Sequence, residues 1–182
     1  MTDQSESIGS YSLRSGLTIF PAQDAAFERV LNDLVQKVPA RFALLTDTSG
    51  LLIGFKGERN KMDLVALGSL VASDLAASQA VADITGEHAD YQLALRQGQS
   101  HNLLLVGAGR QLVLLVQAPT DVPVGWSRML VLEAARQLQT ILAMPPQPEE
   151  PLTLAPDSTE NDLAETGLTD LFSQALDSMW SD

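Results

Sequence analysis

The chain has 182 residues, 45% of them hydrophobic, with 23 acidic against 11 basic side chains and no cysteine. The length suits one domain of about 100–150 residues with appendages. The lack of cysteine excludes disulfides, thiolate metal sites and cysteine nucleophiles, and the charge makes nucleic acid or an anionic membrane surface an unexpected partner.

The charge is unevenly placed. Residues 145–182 hold nine acids and no Lys or Arg, whereas residues 1–144 carry a net charge of only −3. No apolar run approaches the roughly 18 residues of a membrane span, and the amino terminus lacks a charged-then-apolar signal pattern. A cytoplasmic location is expected.

Residues 1–20 are rich in Ser, Gly and Thr and read as a flexible arm. Pro21 opens a helix, at a position where its missing N–H costs nothing. Phe27, Val30, Leu31, Leu34 and Val38 form its buried stripe, and Pro39 stops it. Arg41–Thr46 and Leu51–Phe55 read as strands, joined by a turn over residues 47–50 in which Gly50 supplies the positive φ of a tight reversal. Asn60 can cap the next helix, with Asp63 three residues on. Three strands follow, Tyr91–Arg96, His101–Gly107 and Gln111–Gln117, separated by Gly98 and by Gly107 with Gly109. The last is apolar on both alternations, as expected of a central strand covered on both faces. A final helix follows Pro123, with Trp126, Met129, Leu130, Ala134, Leu138 and Ile141 on its apolar side.

Residues 145–156 form a Pro- and Glu-rich linker. Residues 157–182 are an acidic tail with helical periodicity, Leu168, Leu171, Phe172, Leu176 and Met179 sharing one side. This pattern suits a tethered recognition helix with Trp180 as an anchor; the plainer alternative is an acidic solubilising tail.

The segment 61–82 is the most informative. Leu64, Leu67, Gly68, Val71, Leu75 and Ala82 form a core stripe, and Met62, Ala66, Ser69, Ser73, Ala77 and Ala80 form a second, small and uncharged one. Lys61, Asp63 and Asp74 are its only charges. A helix apolar nearly all round is buried on two sides. It is either sandwiched within one domain or, as we favour for so short a chain, packed on a second copy. Arg59, Lys61, Asp63 and Asp74 would then rim the interface.

Three stretches in this order resemble the roadblock/LC7 family: the hairpin at 43–55 (ALLTDTSGLLIGF), the small-residue helix at 64–78 (LVALGSLVASDLAAS) and the strand pair at 102–117 (NLLLVGAGRQLVLLVQ). The resemblance implies an α/β sandwich with element order α-β-β-α-β-β-β-α. Its five-stranded, mostly antiparallel sheet would carry one helix on one face and two on the other, with the helical tail as an addition. It also implies homodimers, or heterodimers with another roadblock protein, in which sheet edges join and second helices pack together. Family members bind, scaffold or activate small Ras-like GTPases, including polarity-regulating ones in bacteria.

Enzymatic chemistry is not expected. No phosphate-cradling G-x-x-x-x-G-K-[ST] loop exists, His88 and His101 stand alone as metal ligands, and no cofactor, metal or catalytic residue is assigned. Should the chain accelerate GTP hydrolysis, Arg59 and Arg110 are the candidates for an arginine supplied in trans. The expected function is a dimeric regulator or scaffold of a small Ras-like GTPase. The alternatives are a structural adaptor dimer without GTPase activity on a partner, and a ligand-sensing domain.

Overall fold

The computed structural model describes residues 10–13, 15–59, 61–86 and 93–145. In chain order it comprises strands β1 (Tyr11–Ser12) and β2 (Thr18–Ile19), helix α1 (Pro21–Lys37) and strands β3 (Phe42–Asp47) and β4 (Leu52–Gly57). Helix α2 (Leu64–Thr85), strands β5 (Ala94–Gln97), β6 (His101–Ala108) and β7 (Leu112–Pro119) and helix α3 (Val124–Leu142) follow.

Strands β3 to β7 form one sheet in the order β4-β3-β7-β6-β5, with every neighbouring pair antiparallel. The doubly apolar strand β7 is central, as its sequence requires. Because side chains alternate along a strand, the sheet divides its apolar residues between two cores. Ala43, Leu45, Leu112, Leu114 and Val116 meet Phe27, Leu31 and Leu34 of α1 and Val131 and Leu138 of α3. Phe42, Leu44, Leu105, Val113 and Leu115 meet Val71 and Leu75 of α2. Two helices therefore cover one face and one helix the other, the layering implied by the resemblance.

Two sequence expectations are corrected in this region. Residues 10–20 are not a flexible arm. β1 and β2 pair antiparallel, and Leu17 and Ile19 are buried in the α1/α3 core. The Ser- and Thr-rich composition hid the apolar positions Leu13, Leu17 and Ile19, which pack in or against that core, and so short a strand pair forms only because a folded core receives it. On α3, Trp126 and Met129 are half exposed while Ser127 and Val131 are buried, so size misled the choice of inner stripe. Asn60, His88, the linker beyond Pro145 and the tail 157–182 lie outside the described residues.

One buried polar side chain joins three segments. Gln23, in the first turn of α1, accepts from the Phe20 N–H at 3.1 Å. Its amide donates to the carbonyls of Ile141, Leu142 and Met144 at 3.2–3.3 Å. It thus serves the amino end of α1 and the carboxyl end of α3 together.

Candidate interaction surface

Helix α2 begins at Leu64 because the Asp63 carboxylate accepts from the Val65 and Ala66 N–H groups at 3.1 and 3.0 Å, an N-cap in the ordinary sense. It ends at Gly86, which takes φ +77°, a left-handed stop that favours glycine. Leu64, Gly68, Val71, Leu75 and Ala82 are buried as predicted. By length and composition alone the helix could cross a membrane, contrary to the expectation that no run approaches a span. Here its inner stripe lies on the sheet instead.

The outer face is open. Ala66, Ser69, Ser73, Ala77 and Ala80 are all exposed, as is Ala76 between them. Ser69 Oγ donates to the Val65 carbonyl at 3.1 Å and Ser73 Oγ to that of Ser69 at 2.8 Å, so neither hydroxyl needs an outside partner. Met62 does not belong with them. It precedes the helix, where helical periodicity no longer applies, and packs half-buried against the α2-side core. Sequence reasoning also missed the larger members of this face: Val65, Leu70, Val81 and Ile84 are 72%, 68%, 54% and 85% exposed. Their apolar character is legible in the sequence, and only the packing of α2 on the sheet shows that they face outward.

The helix crosses the sheet obliquely. Gly68 touches the β3–β4 turn, Leu75 lies near Gly107 of β6, and Asp74 pairs with Arg96 of the edge strand β5. At 22 residues it is about 33 Å long, against about 19 Å across five strands.

The expected rim residues have different fates. Asp63 is turned into its own helix cap. Asp74 holds both guanidinium nitrogens of Arg96, one at 2.6 Å, and this hydrogen bond and charge raise the Arg96 pKa further. Arg59 and Lys61 are exposed, Lys61 at φ +49°. Arg59 adjoins Glu58, whose N–H bonds the Arg41 carbonyl at one end of the sheet; Arg110 adjoins Gln111, bonded to Thr48 at the other. With six residues in β3, these ends are about 20 Å apart. The two arginines cannot both reach one phosphoryl group from the same copy. Among the described residues no three metal-capable side chains converge.

A buried carboxylate organises the β3–β4 turn beneath this helix. Asp47 is fully buried and accepts from Leu51 N at 2.8 Å, Ser49 N at 3.0 Å and Ser49 Oγ at 2.7 Å. Burial pushes its carboxyl upward, but the Ser15 and Ser49 hydroxyls and the Leu51 and Ser49 amides outweigh it and hold the pKa below the usual 3.8.

No protein-family model matches the sequence, and no curated protein does. Solved structures do. MglB of Myxococcus xanthus superposes with a TM-score of 0.61 at 26% identity, over 63% of this chain and 93% of that one. An MglB in a tetrameric arrangement gives 0.63 at 29%, over 68% and 93%. A roadblock/LC7 domain from Streptomyces avermitilis gives 0.59 at 18%, over 64% and 98%. The chain has the roadblock/LC7 fold. Among the described residues α2 is the single helix on its side of the sheet, and none of them covers its outer face. The tail positions Leu168, Leu171, Phe172, Leu176, Met179 and Trp180 lie outside the described residues.

Proposed function

We propose that the chain is a cytoplasmic, dimerising roadblock-type module that binds a small Ras-like GTPase and regulates or scaffolds it. The observation that carries this reading is the outer face of α2. It is long, apolar and free of charge at its centre, on a fold whose family resemblance implies GTPase partners. The similarity to MglB at 26–29% identity supports that branch of the family over a general adaptor. Oligomerisation accords with the tetrameric arrangement of one such MglB.

The chain would act on its partner rather than carry out chemistry itself. An arginine placed beside the transferring phosphoryl group would offset its charge, and Arg59 and Arg110 are the exposed candidates at the two ends of the sheet. Repositioning of the GTPase's own loops is the other route to the same effect.

Single-turnover GTP hydrolysis by the organism's small Ras-like GTPases, with and without the full chain, tests the proposal. Clear acceleration would establish an activating role, and about 10³-fold or more is what an arginine supplied in trans gives. Unchanged hydrolysis with stable co-elution would leave scaffolding. Neither effect with any of them would overturn the GTPase reading in favour of a structural adaptor dimer.

A further inference from the structure

We propose that the amino-terminal hairpin, β1 with β2, is a clasp that sets how α2 sits on the sheet, acting through the β3–β4 turn. The consequence for a partner rests on the reading of α2 as a contact face; the coupling itself does not.

Two strands of two residues each do not hold together alone in water. The hairpin is held by the body instead. Ile19 is fully buried and Leu17 nearly so in the α1/α3 core, with Leu13 packed against it. Tyr11 Oη donates to Asp24 Oδ1 in the first turn of α1 at 3.1 Å. Between the strands the chain reverses at Gly16, φ +82°, whose N–H bonds the Leu13 carbonyl at 2.9 Å. Ser15 stands exposed at this reversal, and its hydroxyl donates to the buried Asp47 carboxylate.

Asp47 passes that contact to the turn. Its Oδ1 accepts from the Ser49 and Leu51 N–H groups, and its own N–H and carbonyl close on Leu51 and Gly50 at 3.0 Å each. The turn is therefore one hydrogen-bonded unit that carries Gly50. Gly50 meets Gly68 of α2 with no side chain on either residue to absorb a shift, and close-packed groups transmit strain rather than yield. Thr46, the neighbour of Asp47, presses on the same glycine, its Cγ2 standing 3.3 Å from where a β-carbon would lie. Further along α2, Asp74 is held by Arg96. The helix thus has two fixed points, and freeing the first lets its amino-terminal half pivot about the second. Segments with few buried apolar contacts open before the rest of a fold, so the clasp is where such freeing begins.

Amide exchange by the full chain alone, with no GTPase present, tests the coupling. Ser15→Ala should speed exchange over residues 65–72 of α2 by about three- to tenfold, the effect of losing one hydrogen bond. Residues 131–138 of α3 should keep their parental rates. Ser15→Asp, which sets a second negative charge beside Asp47, should have the larger effect. Ser15→Thr keeps the hydroxyl and should leave α2 as in the parent chain. Position 15 is exposed, so all three variants should fold.

Unchanged exchange over residues 65–72 in Ser15→Asp would overturn the clasp. So would equal acceleration in α2 and α3, which marks a general loss of stability rather than a coupling. GTP hydrolysis by a partner with the same variants reports on the contact-face reading by itself, so failure of one is not mistaken for failure of the other.

Discussion

Gly68 of α2 lies directly against the carbonyl of Gly50 in the β3–β4 turn: a β-carbon on Gly68 would stand 2.4 Å from that oxygen. From the other side, a β-carbon on Gly50 would stand 2.7 Å from the Ser69 Cα, and Gly50 itself takes φ +87°. The turn and the helix thus meet backbone to backbone, and the contact sets where α2 enters the sheet. Gly68→Ala is expected to destabilise the fold by about 1–3 kcal/mol, the range for overpacking, despite the roughly 1 kcal/mol that alanine gains in a helix. Urea unfolding measures it. An unchanged or higher midpoint would mean that the turn yields at no cost.

Beneath that contact, Thr46 Oγ1 is buried without a hydrogen-bond partner among the described residues. An orphaned hydroxyl is costly, and replacing it by an apolar group of the same shape removes the penalty. Thr46→Val should raise stability by about 1 kcal/mol, read as a shift of the urea midpoint. A loss instead would reveal an acceptor that the hydroxyl serves.

Gln23 gives a prediction with an internal control. Gln23→Ala strips partners from the Phe20 N–H and from three carbonyls at the end of α3, at a cost of about 1–3 kcal/mol. Gln23→Glu should be worse at neutral pH: a carboxylate cannot donate to those carbonyls, and its charge opposes the negative end of α3. Amide exchange over residues 138–144 should accelerate in both variants. Equal stability of the two would show that the amide donors contribute nothing.

Asp47 predicts the acid limb of stability. Its folded pKa lies below 3.8, so the unfolded chain binds the proton more readily. The stability it contributes is present above about pH 3.8 and is lost as pH falls through the lower folded value. Asp47→Asn should therefore be less stable than the parent chain at pH 7, with the gap closing in strongly acidic solution. A gap independent of pH would remove the charge from the explanation.

Ser73→Arg tests the proposed dimer contact by disruption. The position is exposed, so the α2-side core formed by Val71 and Leu75 should be untouched, and thermal unfolding of the isolated subunit should change little. Sedimentation at working concentration should move from dimer to monomer. A variant that remains a dimer would place the contact elsewhere.

The sequence by itself determined the elements and most of their inner faces. Strand period and helix period are local properties, so α1, α2 and the five sheet strands could be read to within a few residues, β7 as central and the core stripe of α2 as buried. The empty charge on the far side of α2 was legible for the same reason. What depended on residues distant in the chain was not. Leu17 and Ile19 become core only once α1 and α3 provide a surface for β1 and β2. Gln23 acquires its role from carbonyls more than a hundred positions away, Asp47 from Ser15 in a different hairpin, and Gly68 from Gly50. Asp74, read as a charge on the interface rim, is held by Arg96 because the oblique path of α2 brings it to the edge strand. Each is a meeting of groups whose separate propensities say nothing of one another, and only the packed structure could bring them together.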